Sequence, residues 1–96
     1  MYGTIARLRI KPGMEDKFRE VGRAAEAAHI PGHVATSIYR MDANPNEYYL
    51  VVAFTSKEAY QANAASPEQH ARFLQMMQVL DGEPEWHDGE ILSLDS

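Results

Sequence analysis

The stretch from Tyr48 to Phe54 constrains the fold of this chain more than any other segment. Its β-branched and aromatic residues are typical of a strand. Both of its alternating sets of side chains are apolar or aromatic. They are Tyr48, Leu50, Val52 and Phe54 on one side, and Tyr49, Val51 and Ala53 on the other. A strand with no polar side is buried on both faces, so its sheet needs a cover on each face.

Changes in hydrophobic period divide the rest of the chain into strands and helices. Alternation predicts a strand over residues 2–10, and β-branched, aromatic and other apolar content predicts strands over residues 33–40, 47–54 and 85–94. Between the first two strands, apolar residues recur at helical spacing from Met14 to Ala28, which predicts an amphipathic helix.

Two further helices are predicted between the third and the last strand. Thr55 and Glu58 have the spacing of a capping box, which predicts a short helix that ends near Asn63. Ser66 followed by Pro67 is a sharper start signal, with serine at the cap and proline at the first helical position.

The helix that begins at Pro67 is expected to carry an apolar stripe and to end at Gly82, since glycine is frequent at helix C-termini. The members of the stripe are Phe73, Met76, Met77 and Leu80. When the two helices between the third and the last strand are counted as one unit, the order of elements is βαββαβ. This order predicts an α+β, ferredoxin-like fold with a four-stranded antiparallel sheet, as a single domain over residues 1–96.

Both helical segments of such a fold cover the same face of the sheet, so the other face remains bare. A chain of 96 residues has little apolar burial to spare. Soluble monomers also rarely expose large contiguous apolar patches. A homodimer in which two sheets pack face to face into a barrel-like core is therefore expected.

Composition excludes several classes of function. The formal net charge is −5, and the densest basic group is only Arg7, Arg9 and Lys11, so neither nucleic acid nor an anionic membrane is an expected partner. Cysteine is absent, which removes thiol nucleophiles and thiolate metal sites. No secretory signal and no apolar run of about 18 residues is present, which favours a cytoplasmic protein.

Metal and nucleotide sites are not expected either. His87, Asp88 and Glu90 are close enough in sequence to ligate a metal, but a solvated strand end is the simpler interpretation of such a cluster. The glycines near the C-terminus are isolated, so there is no phosphate-binding fingerprint.

Several stretches of the chain resemble one known family when they are taken together. They are residues 6–15 (ARLRIKPGME), 31–35 (PGHVA), 38–40 (IYR), 49–60 (YLVVAFTSKEAY), 66–70 (SPEQH) and 81–84 (DGEP). This set is similar to antibiotic biosynthesis monooxygenase domains, which belong to the dimeric α+β barrel superfamily, and it spans nearly the whole chain.

The resemblance implies three kinds of function. The family includes monooxygenases that oxidise phenols or quinols to quinones without a cofactor, haem-degrading enzymes, and members without a known activity. Because one fold supports all three, function has to be argued from the site.

The haem-degrading branch fits the sequence poorly. It uses an asparagine on the first strand, a tryptophan on the short helix and a histidine on the next helix. The matching positions hold Ala6, Asn63 and a residue near Arg72. His70 lies two positions away, which turns a helical side chain by about 200°. Haem degradation is therefore a less favoured function for this chain, and no cofactor is expected.

The cofactor-independent branch requires an apolar pocket, a base for the phenol and exclusion of water. The resemblance predicts His70 as the base and Asn63 as the residue that orients the substrate oxygen. His70 shares helical spacing with Phe73 and Met77, which predicts that it points inward. The predicted substrate-binding aromatic residues are Tyr39, Tyr49, Tyr60 and Trp86.

Each of these residues also has a purely structural interpretation. His70 would be a partly buried, hydrogen-bonded histidine, and Asn63 would end its helix. The tyrosines would be core or interface residues, and Trp86 would anchor the dimer interface. Two functions are favoured: a cofactor-independent monooxygenase of an electron-rich phenol or quinol, or a homodimer that binds a small aromatic or apolar ligand, or acts in stress, without catalysis. Haem degradation is the third and less favoured alternative.

Overall fold

The computed structural model describes residues 1–94, and it contains four strands and three helices in that range. In chain order they are β1 (Tyr2–Arg9), α1 (Glu15–Ala27), β2 (His33–Arg40), β3 (Glu47–Phe54), α2 (Lys57–Ala64), α3 (Pro67–Met77) and β4 (Glu85–Glu90).

The strands form one antiparallel sheet in the order β2-β3-β1-β4. This is the ferredoxin-like α+β arrangement that the sequence predicted. β3 lies between β2 and β1, so it has neighbours on both edges. This inner position agrees with the sequence of β3, in which neither of the two alternating sets of side chains is polar.

The core lies between the sheet and the helices. Phe18 of α1 packs against Tyr48 of β3 with ring centroids 5.6 Å apart. Leu8, Ile10 and Val79 are the largest side chains that are almost completely buried. We call this side of the sheet the helix face. Its β1 residues are Tyr2, Thr4, Ala6 and Leu8, which pair with Phe54, Val52, Leu50 and Tyr48 of β3.

The opposite side of the sheet, called here the open face, carries the alternate residues of each strand. Ile5 is 49% exposed and Tyr39 is 56% exposed there. Arg7 donates to Glu47 at 2.9 Å across the same face. Within residues 1–94, no helix covers it.

The helix caps confirm one sequence prediction and correct another. Ser66 caps α3, since its Oγ accepts from the backbone N–H of Gln69 at 3.1 Å. The cap of α2 is Ser56 and not Thr55, because Ser56 Oγ accepts from Ala59 N–H at 3.1 Å. Neighbouring hydroxyl residues make this one-position error hard to avoid from sequence.

The C-terminal part was predicted less accurately. α3 ends at Met77, and Gly82 lies in the turn beyond it with a φ of 101°. Beyond the helix, Leu80 forms an isolated antiparallel bridge with Ile10. The chain therefore joins the edge of the sheet at Leu80 and is no longer helical there. β4 stops at Glu90, shorter than the predicted strand.

No helix within the described range has the length and apolar content needed to cross a membrane.

Candidate functional site

The candidate site lies on the helix face of β1 and β4, beneath α2 and α3. Thr4 pairs with Asp88, and Ala6 pairs with Trp86. All four side chains therefore lie on one side of the sheet, because alternate residues of a strand share a face. Thr4 and Ala6 are small, so the larger groups of this patch come from β4 and from the helices.

Tyr60 of α2 reaches across to β4. Its hydroxyl donates to Asp88 Oδ1 at 2.8 Å. Its ring packs against Tyr2 and Phe54, with centroids 5.3 and 5.6 Å away. Burial raises the pKa of the Tyr60 phenol to about 12, and the Asp88 carboxylate acts in the same direction. At neutral pH Tyr60 is therefore a hydrogen-bond donor and not a base.

Thr4 lies at the back of this polar group. It is 4% exposed, and its Oγ1 has no partner in good hydrogen-bond geometry within the described range. It does lie near the Tyr60 hydroxyl, and this contact lowers the Tyr60 pKa against the larger effect of burial. A buried hydroxyl without a well-formed hydrogen bond costs about 1–3 kcal/mol, so a polar ligand atom that reached Thr4 would compete only with this weak contact.

Trp86 supplies an aromatic surface next to the polar group. Its indole lies 6.4 Å from the Phe73 ring of α3, with 41° between the planes. Trp86 is 40% exposed, so solvent and small molecules reach it. Tyr60 and Trp86, two of the predicted substrate-binding residues, thus lie on the same face of the sheet.

Asn63 connects α2 to α3. Its Oδ1 accepts from Arg72 Nη2 at 3.3 Å, and Arg72 Nε donates to Gln69 Oε1 at 3.1 Å. The amide is therefore held in one orientation, with its nitrogen free to donate. Arg72 was not among the predicted site residues, although the family register had placed the haem-ligand position near it.

His70 does not point inward as predicted. It is exposed on the first turn of α3, and it makes no side-chain hydrogen bond within residues 1–94. The core side of α3 is centred on Met76, with Phe73 and Met77 partly buried beside it. His70 precedes Phe73 by one turn, which places it on the flank of the helix.

Tyr39 and Tyr49 lie on the other side of the sheet. They pair with each other across β2 and β3, on the open face. The predicted aromatic wall of Tyr39, Tyr49 and Trp86 therefore does not form within one protomer. Nor is Trp86 placed to anchor a contact between two open faces, because it lies on the helix face.

Two surface grooves lie elsewhere in the protomer. One, of about 330 Å³, lies between α1 and β2 and is lined by Glu15, Phe18, Arg19, Ile38, Arg40 and Tyr48. The other, of about 290 Å³, lies between α1 and α3. Neither is lined by His70 or Asn63.

Sequence reasoning missed Asp88 and Thr4. Asp88 was considered only as a metal ligand together with His87 and Glu90. The alternation within β4 was a usable signal, because Trp86 and Asp88 are two residues apart and must share a face. The burial of Thr4 without a partner had no signal in the sequence.

Comparison with known proteins agrees with this architecture. The antibiotic biosynthesis monooxygenase family model matches residues 1–75. No curated protein matches the chain significantly.

Solved structures of low sequence identity share the fold. A mutant of SnoaB, a cofactor-independent oxygenase from Streptomyces nogalater, is 17% identical with a TM-score of 0.83, over 97% of this chain and 94% of that one. A candidate antibiotic biosynthesis monooxygenase from Caulobacter crescentus CB15 is 19% identical with a TM-score of 0.83, over 96% and 90%. One from Bordetella bronchiseptica is 18% identical with a TM-score of 0.81, over 96% and 97%. The family match over most of the chain, together with this shared fold, shows that the protein belongs to the antibiotic biosynthesis monooxygenase family.

Proposed function

We propose that this protein is a cofactor-independent monooxygenase that acts on an electron-rich phenol or quinol. The observation that carries the proposal is the position of Trp86 and Phe73, an accessible aromatic pair on the same face as the Tyr60–Asp88 hydrogen bond. Aromatic surface beside a few fixed polar groups is the usual character of a small-molecule site. Membership of the family and the likeness to the fold of SnoaB support the same reaction class.

The chemistry needs little from the protein. An ionised phenol transfers an electron to dioxygen, the two radicals combine at a ring carbon, and loss of water leaves a quinone. One phenol and one O₂ give one quinone and one H₂O. The protein contributes a base, orientation of the phenolate and a site with little water.

Each role has a proposed residue. The Asn63 amide nitrogen donates to the phenolate oxygen, since Arg72 already fixes the amide oxygen. Trp86 and Tyr60 contact the substrate ring, and His70 removes the phenol proton from its position one turn before Phe73. Tyr39 and Tyr49 lie on the open face and receive no substrate contact in this proposal.

Oxygen consumption tests the proposal. Wild-type protein with 1,4-dihydroxynaphthalene or a wider phenol panel is expected to consume oxygen faster than autoxidation alone. His70→Ala should lower the rate at least tenfold, whereas His29→Ala, an exposed histidine outside the site, should leave it unchanged. A panel without any acceleration contradicts the proposed reaction, and an active His70→Ala variant contradicts the choice of base.

The alternative is a non-catalytic homodimer that binds a small aromatic or apolar ligand. One observation favours it: His70 is exposed, and nothing in the described range orients its ring. A general base is normally held within hydrogen-bond reach of its substrate. Binding of phenols without oxygen consumption would support this alternative.

The proposed assembly is a homodimer in the cytoplasm. The exposed Ile5 and Tyr39 of the open face support self-association, because a second copy would remove them from water. Light scattering at micromolar concentration should give a mass close to twice 10.8 kDa. A folded particle of 10.8 kDa would contradict the dimer.

A further inference from the structure

The carboxylate of Asp88 is placed to contact a ligand that lies against Trp86. Both residues are on the helix face of β4, two positions apart, which separates them by about 7 Å along the strand. An aromatic ring with a hydroxyl group spans such a distance. Asp88 is exposed, so its carboxylate remains accessible from solvent.

Tyr60 fixes this carboxylate in place. It occupies Asp88 Oδ1 with its hydroxyl at 2.8 Å, and no residue within 1–94 donates to the second carboxylate oxygen. Tyr60 itself is held by aromatic contacts to Tyr2 and Phe54. The result is an oriented acceptor with a free oxygen, next to an aromatic surface.

Thr4 adds an independent observation at the same place. It faces Asp88 across the β1–β4 pair, it is more than nine-tenths buried, and its hydroxyl forms no well-placed hydrogen bond among the described residues, although it lies near the Tyr60 hydroxyl. Neither Thr4 nor Asp88 was predicted from the sequence to contact a substrate. Both offer hydrogen bonds on the side where Trp86 offers aromatic contact.

We infer that Asp88 makes this site selective for the reduced, hydroxyl-bearing form of an aromatic ligand over its quinone. A carboxylate only accepts hydrogen bonds, and a phenol or quinol hydroxyl is a donor. A quinone carbonyl has only acceptor oxygens, so it meets the negative carboxylate without a hydrogen bond. The inference rests on the proposed function. In a monooxygenase of quinols, this selectivity would favour binding of the substrate and release of the quinone product.

The size of the effect follows from hydrogen-bond strengths. A hydrogen bond to a charged group is roughly two times stronger than a neutral one. We therefore expect the quinol to bind at least about tenfold more tightly than the quinone of the same skeleton. One charge-assisted hydrogen bond at a partly exposed site is enough to give a tenfold difference in affinity.

Anaerobic binding measures this ratio without turnover. Wild-type protein is titrated under nitrogen with 1,4-dihydroxynaphthalene and, separately, with 1,4-naphthoquinone in a calorimeter. Trp86 is the only tryptophan, so quenching of its fluorescence is a second readout at the site itself. The expected result is at least about tenfold tighter binding of the dihydroxynaphthalene.

Asp88→Asn tests the carboxylate directly. Asparagine still accepts from Tyr60 but presents an NH₂ donor to the ligand, so the ratio should fall to about threefold or less. The matched control is Glu90→Gln, which removes a charge from the same face of the same strand and should keep the wild-type ratio. Tyr60→Phe, which leaves the carboxylate unoriented, should give an intermediate ratio.

Several outcomes overturn the inference. These are equal binding of the two ligands by wild type, binding of neither, and a wild-type ratio in a folded Asp88→Asn variant. Should Asp88→Asn fail to fold, an unchanged ratio in Tyr60→Phe would overturn it. A selective protein that consumes no oxygen would refute the proposed function alone, and an active protein without selectivity would refute this inference alone.

Discussion

The two faces of the sheet differ in how they combine apolar and charged groups. On the helix face, Leu8 and Tyr48 are buried under α1, Tyr60 of α2 donates to Asp88 of β4, and Arg40 donates to the Tyr48 hydroxyl at 3.0 Å. On the open face, Arg7 lies between Glu47 at 2.9 Å and Glu85 at 3.7 Å. The helix face thus has hydrogen-bonded polar groups at two separate places: Tyr60 with Asp88, beside the aromatic pair, and Arg40 with Tyr48, toward the opposite edge of the sheet.

The open face is itself divided along the strands. At one end it carries small or apolar residues, which are Gly3, Ile5, Ala35, Val51 and Ala53. At the other end it carries the ion pairs around Arg7. Burying ion pairs is costly, because desolvation offsets their attraction. A second copy would therefore bury the apolar end and the exposed Tyr39 ring, and would leave the charged atoms of the ion pairs near solvent. We propose that the helix face binds the substrate and that the open face mediates self-association.

Truncation in the core should have the largest effect on stability. Leu8→Ala removes a side chain that is 1% exposed, and we expect a loss of about 3 kcal/mol in the free energy of unfolding. Chemical denaturation at fixed protein concentration measures it. Arg9→Ala, the exposed neighbour on the open face, should cost no more than about 0.5 kcal/mol. Similar losses in both variants would contradict the description of the helix face as the core.

A charge on the open face should separate the proposed dimer. Ile5→Lys introduces an ammonium at the apolar end, and we expect association to weaken by at least about 100-fold while the fold is kept. Sedimentation equilibrium measures the mass. Leu74→Lys, on the exposed side of α3, is the matched control and should remain dimeric. A dimeric Ile5→Lys variant would place the interface elsewhere.

The Tyr60 phenol should ionise only at high pH. Its pKa of about 12 lies above the ordinary value of 10.0. The stability that it contributes is therefore complete below pH 10 and is lost as the pH rises through about 12. Ultraviolet titration should show a phenol ionisation near pH 12, and Tyr60→Phe should remove it. A step near pH 12 that persists in Tyr60→Phe would show that Tyr60 is not buried against Asp88.

The ion pairs of the open face should give the smallest effect. The hydrogen bond from Arg7 lowers the pKa of Glu47 below its ordinary value of 4.5. The stability from this shift is present above pH 4.5 and is lost as the pH falls through the lowered pKa. Arg7→Met should raise the Glu47 pKa in an NMR titration and flatten the acid limb of the stability curve. An unchanged Glu47 titration would mean that the pair does not form in solution.

The order of elements was predictable because it depends on local patterns. The two-sided apolar run of β3, the helical period of α1 and the Ser66–Pro67 start are all properties of neighbouring residues. The sequence also predicted an uncovered face, since helical material for only one side was present.

The site was harder to predict because it depends on pairing between distant strands. Tyr39 and Trp86 look equivalent as aromatic strand residues, and only the register of β2 and β4 puts them on opposite faces. His70 was misplaced because helical spacing with Phe73 and Met77 does not separate the centre of an apolar stripe from its flank. The candidate role of Asp88 depends on a contact between distant parts of the chain, because the Tyr60 hydroxyl of α2 donates to its carboxylate.

The most direct test of the division between the two faces is a crystal structure with 1,4-dihydroxynaphthalene, grown without oxygen. The account predicts the ring against Trp86 and Phe73, with one hydroxyl on the free oxygen of Asp88. A ligand bound instead on the open face, against Tyr39 and Tyr49, would contradict it.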